Sequence, residues 1–295
     1  MSQYVLELAL ITLAAAVVNG ALGYGFSSIT VPLALLFLTN RVLNPALVVL
    51  EVALNAWVLW VNRRSLPAIR ARVVPIVIGL APGIVVGTAI VSQVNPNWLK
   101  LATYFALLPL ILLQATGYRR PIQSEKSVGV VFGSSLGVLY SVTTISGPPL
   151  AVMLNNQGFA KQQFRAALGF IRLAESGLTA LAYLSAGLFT RSSMALLPQI
   201  LPSVAIGVPI GALLIRHVRS DTFRRICMSF DAWIVAFGIS ALLRDLRIVE
   251  SAAAYLVLAA VALLDAWLLY RFFSAGAAEA RRGRDDGDLH DLKPA

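Results

Sequence analysis

Three ionisable side chains stand near the middle of apolar stretches of this 295-residue chain: Glu51, Arg172 and Glu175. Each costs about 2.5–3.5 kcal/mol at the centre of a membrane span by insertion scales, so such residues default to functional candidates. Arg172 and Glu175 are three residues apart and share one helix face. Arg172 is the best cationic partner for an anion; its alternative is a structural ion pair with Glu175 or Glu51. Glu51 and Glu175 are the candidates to carry a proton, should the anion move with one. Asp231 and Asp265 also fall in apolar segments, and Asp265, outside the internal repeat described below, is assigned a structural role. Arg165, near the start of its segment, has snorkelling to the cytoplasmic surface as its alternative.

Two polar interruptions supply the remaining chemistry. Asn19–Pro32 breaks an apolar run with three glycines, two serines, a threonine and a proline. Thr143–Pro149 breaks a second run about half a chain later. A helix broken within lipid frees N–H and C=O groups that lipid cannot satisfy. Paired breaks in two half-chains are the arrangement of a transporter's binding site. Half-helices that restart after a break point N–H groups with partial positive charge at the gap, and these suit an anion. The candidate contacts are Asn19, Gly23, Gly25, Ser27, Ser28 and Thr30 in the first break, and Thr143, Thr144, Ser146 and Gly147 in the second. The glycines let backbone approach a ligand. The alternative for the hydroxyls is that they bond back to the freed carbonyls. Asn55 and Asn155 are secondary polar candidates.

The elements that must position these residues are membrane spans. Hydrophobic residues make up 58% of the chain and charged ones only 13%, against roughly 25% charged in soluble domains. The fold class is therefore an all-α polytopic membrane protein, with about 8–11 transmembrane segments counting short pieces. The net charge of +10 sits in short loops between apolar segments, which fits cytoplasmic loops rather than nucleic-acid binding. One cysteine, Cys227, and two histidines, His217 and His290, provide no disulfide and no metal cluster. No cofactor is implied. The expected partners are a small anionic substrate and the lipid bilayer, and a homo-oligomer is compatible with the sequence.

Residues 1–274 read as one transporter domain, with a first repeat at about 4–117, a second at about 127–243 and an extra helix at about 252–273. Residues 275–295 read as a disordered cytoplasmic tail. The repeats align on Val31-Pro32-Leu33-Ala34 with Pro148-Pro149-Leu150-Ala151, and on Gly83-x-x-x-Gly87 with Gly207-x-x-x-Gly211. Gly79, Gly83, Gly87, Gly129 and Gly133 recur at four-residue spacing, which predicts close helix packing; Gly137 continues the series nearer the break. Arg63, Arg64, Arg70 and Arg72 follow the third segment, whereas the equivalent loop of the second half has only Arg191. The next loop reverses that bias: none in the first half, and Arg216, Arg219, Arg224 and Arg225 in the second. Basic loops stay in the cytoplasm, so equivalent loops face opposite sides and the repeats are inverted. This places the N-terminus outside and the C-terminal tail in the cytoplasm of a cell that holds the protein in its inner membrane.

The sequence Gly-Tyr-Gly-Phe-x-Ser-x-x-x-Val-Pro from Gly23 resembles the glycine-rich first motif of the TauE/SafE sulfite-exporter family. Ser146-Gly-Pro-Pro-Leu150, Asn155-Asn-Gln-Gly158 and Lys161-x-x-x-Arg165-Ala resemble the pattern of its second half. The resemblance covers about residues 5–270. Tyr24 and Phe26 interrupt a run that is all glycine in many members. The resemblance implies transport of a small anion such as sulfite, an organosulfonate or a related sulfur or carboxylate compound. A passive anion channel and a non-transporting assembly protein are the competing classes. An intramembrane enzyme fits poorly, because neither histidine lies in a span and no metal-ligand cluster is visible. Reporter fusions in the loop after Asn62 and in the loop around Arg191 are expected to report opposite sides of the membrane; the same side for both would end the inverted reading.

Overall fold

The computed structural model describes residues 2–22, 25–115, 125–156, 159, 161–214 and 220–290. They form twelve α-helices and two short 3-10 turns, with no strand among the described residues. The first half comprises α1 (Ser2–Leu22), α2 (Phe26–Ala34), α3 (Asn40–Asn62), α4 (Leu66–Gln93) and α5 (Pro96–Ala115). The second comprises α6 (Glu125–Thr143), α7 (Gly147–Asn156), α8 (Lys161–Ser185), the single turn α9 (Arg191–Met194), α10 (Leu197–Leu214) and α11 (Ser220–Asp245), followed by α12 (Leu256–His290).

Both polar interruptions end helices. α1 stops at Leu22 and α2 restarts after Gly25, whose φ of 104° only glycine adopts cheaply. α6 stops at Thr143 and α7 restarts at Gly147, with Pro148 and Pro149 at its start, where a missing N–H costs least. α2 and α7 have 9 and 10 residues, about half a crossing each.

Six apolar runs among the described residues are long enough to cross a membrane: Tyr4–Leu22, Asn40–Gln93, Gln162–Ser185, Arg191–Leu214, Arg225–Asp245 and Ala252–Ser274. The second holds α3 and α4 together, joined by a 3-10 turn at Arg63–Ser65. Arg70 and Arg72, expected in a loop, stand in the first turns of α4, because Leu66 and Pro67 start that helix early. The expected tail also differs. The backbone of α12 runs on to His290, across the stretch expected to be disordered. Ala277, Ala278, Glu279, Ala280, Arg281 and Arg282 are strong helix formers, and local propensity prolongs the helix where the charge pattern suggests disorder.

Polarity runs inside out. Glu51, Arg172, Glu175, Ser176 and Thr179 are buried, whereas Trp57, Val131, Leu263 and Tyr270 are exposed. A lipid belt tolerates the apolar surface, and the interior takes the polar groups.

α4 packs along α6 and α1 along α10, while α3 meets α8 and α5 meets α11. Glycines make the first two seams. A methyl group at Gly79, Gly83 or Gly133 would overlap the backbone of the facing helix at Val130, Ser134 or Ile76. The same holds for Gly211 against Val17 and for Gly20 against Val208. Gly129 faces the Pro75 ring, and Gly137 faces the Leu80 carbonyl. Ser134 adds a hydrogen bond across the seam, its Oγ donating to the Gly79 carbonyl at 3.0 Å. The four-residue glycine spacing therefore does what the sequence predicts of it. Gly133→Leu is expected to cost about 1–3 kcal/mol or more by overpacking and to lower the melting temperature in detergent. Gly177→Ala in α8, where an added methyl meets nothing within 4 Å, is expected to leave it unchanged or raise it.

Candidate functional site

The centre of the molecule is the carboxylate of Glu51, midway along α3. Three elements converge on it. Ser27, in the first turn of α2, donates its hydroxyl to Oε1. Arg172 of α8 donates Nη2 to the same oxygen at 3.0 Å. Tyr140 of α6 donates its hydroxyl to Oε2 at 2.7 Å. Glu51, Arg172 and Glu175 are 1%, 4% and 0% exposed, so the cluster is closed to both faces. The ion-pair alternative for Arg172 is thus realised, with Glu51 as its partner.

A second hydroxyl–carboxylate pair lies beside the first. Ser146, just before α7, donates Oγ to Glu175 Oε2 at 2.6 Å. Each half therefore contributes a serine at a helix restart and a glutamate on the following long helix. Arg172, Glu175, Ser176 and Thr179 recur at helical spacing along the buried face of α8. Several polar atoms there have no hydrogen-bond partner among the described residues: Arg172 Nε, Glu175 Oε1 and Thr179 Oγ1, together with Asn55 Nδ2 on α3 and Thr30 Oγ1 on α2. Buried polar atoms are normally satisfied, so such a cluster of exceptions marks a place built for more than packing.

The remaining candidates divide. Thr143 and Thr144 bond to nearby carbonyls: Thr143 Oγ1 donates to Leu139 at 2.7 Å, and Thr144 Oγ1 to Thr143 at 2.7 Å. Thr143 Oγ1 also accepts from the Ile145 N–H at 3.0 Å, pinning the break. Thr144 has φ 55°, an outlier for a β-branched residue. Asn19, Ser28, Gly25 and Gly147 are buried where the broken helices end or restart. Gly23 lies outside the described residues, as does the Asn155 side chain. Arg165 is exposed. Asp231 is buried in α11, and its Oδ1 has no partner among the described residues.

Sequence reasoning missed the residues that finish the broken helices. Asn40 and Asn44 of α3 both donate to the Val142 carbonyl, at 3.2 and 2.7 Å, and Tyr183 of α8 donates to the Ser141 carbonyl. These carbonyls belong to the last turn of α6, which has no helical donors left for them. Tyr104 of α5 does the same for Pro32 of α2 at 2.7 Å. Arg41 caps α4 through the carbonyls of Val91, Ser92 and Val94 at 2.8, 2.8 and 2.9 Å. The available signal was the Asn40–Asn44 pair, one turn apart at the mouth of an apolar helix. Tyr140 carried no signal beyond its place three residues before a break.

Asp265 has the structural place assigned to it. Arg225 of α11 donates Nη2 to its Oδ1 at 2.7 Å, and Ser229 donates to the same oxygen at 3.2 Å. This fully buried pair ties α12 to α11, away from Glu51.

A helical, multi-pass membrane protein with a closed, charged cluster between two broken helices has the form of a transporter. The family model for the sulfite exporter TauE/SafE matches residues 8–237. The chain belongs to that family, and the match takes in both breaks, Glu51, Arg172 and Glu175 but not α12. Neither the curated proteins nor the solved structures yield a match.

Two-sided removal tests the α11–α12 pair. Arg225→Met alone strands a buried carboxylate and is expected to cost about 3–5 kcal/mol. Arg225→Met with Asp265→Leu is expected to recover most of that loss, read as thermal unfolding of the purified protein in detergent.

Proposed function

We propose that this protein is a secondary transporter of a small anion, sulfite, an organosulfonate or a related sulfur or carboxylate compound, working by alternating access in the plasma membrane. The observation that carries the reading is the closed cluster of Arg172, Glu51, Ser27, Tyr140, Ser146 and Glu175, assembled at two broken helices from both halves of the chain. Arg172 is the cation for the substrate. The half-helix starts at Gly25–Ser28 and Ser146–Gly147 supply hydroxyls and N–H groups, with Asn19 and Thr30 buried near the first break and Thr143 and Thr144 shaping the second.

The helix pairings support inverted repeats. Exchanging α1–α5 with α6, α7, α8, α10 and α11 turns the α4–α6 contact into α10–α1 and the α5–α7 contact into α11–α2. It maps α3–α8 and α5–α11 onto themselves, and Glu51, Arg172 and Glu175 lie on the first of these pairs. The duplicated serine–glutamate pairs, Ser27–Glu51 and Ser146–Glu175, obey the same exchange. Taking α3 and α4 separately, and adding α5 and α6, brings the crossings into the expected range. Charge near the helix ends supports an N-terminus outside and the C-terminal end of α12 in the cytoplasm.

A thermal-shift screen of purified protein against sulfite, sulfate, thiosulfate, sulfonates and small carboxylates selects the ligand, and flux into proteoliposomes measures its transport. Saturable, gradient-coupled flux is expected, and Arg172→Ala and Gly147→Leu are each expected to abolish it while leaving membrane insertion intact. Normal flux in both variants would remove the proposed site; flux that never saturates would make the protein a channel.

A further inference from the structure

Glu51 is held as a bound ligand would be held. Its two oxygens take a guanidinium from α8, a hydroxyl from the first turn of α2 and a phenol from α6, while the carboxylate itself arrives on a fourth helix. One fixed cation and two hydroxyls, one of them at the start of a half-helix, form a coordination set for a small oxoanion. A carboxylate and a sulfonate offer that set the same thing: one negative charge spread over oxygens on a single atom.

We propose that Glu51 is a tethered stand-in for the transported anion, which occupies the anion's place on Arg172 and yields it only on taking up a proton. One proton then accompanies each monovalent oxoanion. This rests on the transporter reading above.

Charge counting supports the coupling. The Arg172–Glu51 pair is neutral, and the Glu175 carboxyl beside it, held by Ser146, is left unchanged by the exchange. An anion entering alone would add an uncompensated charge to a closed, low-dielectric site, which is costly. An anion entering with a proton adds none. The proton comes from hydronium on the side to which the site opens and forms an O–H bond on Glu51, leaving water. Arg172 transfers its hydrogen bond to the anion, and the neutral carboxyl becomes a donor to it. No bond within the anion changes. On the far side the anion leaves, Glu51 returns its proton to water, and its carboxylate recovers Arg172.

The groups facing Glu51 leave it as the exchanging carboxylate. Ser27 faces it from α2, Tyr140 from α6, and Arg172 with the neighbouring Glu175 from α8. Glu175 is engaged by Ser146, and the guanidinium pairs with Glu51. A group competing with the anion must be the one seated on the cation, and that is Glu51.

The test uses the full-length protein in proteoliposomes with methanesulfonate, whose single charge does not titrate, and with hydrogen sulfite at mildly acidic pH, each against protein-free vesicles. A trapped pH dye follows protons. The wild-type protein is expected to acidify the lumen by about one proton per anion taken up, with uptake indifferent to membrane voltage. Its affinity for the anion is expected to fall as pH rises, because each anion seated on Arg172 brings a proton with it. Glu51→Gln is expected to bind the anion more tightly at neutral pH, to lose that pH dependence, and to lose accumulation driven by a proton gradient. Voltage-driven uptake without proton movement in the wild-type protein would overturn the proposal, whatever the variant does. So would a folded Glu51→Gln protein that binds no anion or keeps the wild-type pH dependence. Absence of wild-type flux for both anions, together with no thermal shift, would instead defeat the transporter reading itself.

Discussion

A helix that ends inside a bilayer must hand its last carbonyls to donors that lipid does not provide. Much of this molecule is arranged around that requirement. The end of α6 is served by Asn40 and Asn44 from α3 and by Tyr183 from α8. Pro32 in α2 is served by Tyr104 from α5. Because these donors sit on long helices of the other segments, satisfying the breaks also fixes where those helices lie. The charged cluster follows from the same positions. Tyr140 is one turn before the end of α6, Ser27 opens α2 and Ser146 precedes α7, so the hydroxyls that reach Glu51 and Glu175 are those the breaks set in place.

The cluster also needs walls that do not give way. Two seams supply them, α4 on α6 and α1 on α10, where glycine brings backbone against backbone without intervening side chains. Their closeness leaves the α3–α8 contact as the place where polar groups accumulate. There a buried guanidinium is offset by a carboxylate across the contact, rather than by water, and the surrounding unpartnered atoms keep the face polar.

Several features were legible in the sequence for definite physical reasons. Interrupted apolar runs give broken helices because glycine and proline act locally. Regular glycine spacing gives packed seams because the helical period is fixed. Arg172, Glu51 and Glu175 could be singled out because charges in apolar segments are expensive. Which carboxylate Arg172 would meet was not legible, since it depends on how α3 docks against α8. Tyr140, Tyr104 and Tyr183 were hidden for a related reason: a tyrosine in an apolar run reads as packing until the carbonyl or carboxylate opposite it is known. The hydroxyls of Thr143 and Thr144, attractive as ligand contacts, turn toward their own broken helix. The last fifteen or so residues of α12 show the converse, with alanine-rich propensity extending a helix through composition that suggests a loose tail.

The pair between Arg225 and Asp265 bears on how the chain is made. The cation on α11 is synthesised well before the carboxylate that neutralises it, which arrives forty residues later on α12. Until α12 emerges, the guanidinium has only Ser229 of its own helix as a side-chain partner among the described residues, and its carboxylate lies on a segment outside the family-matched region. A chain that ended before Asp265 would hold every residue of the central cluster yet lack the carboxylate that pairs with Arg225. The two helices are thus completed as one unit, the last to leave the ribosome.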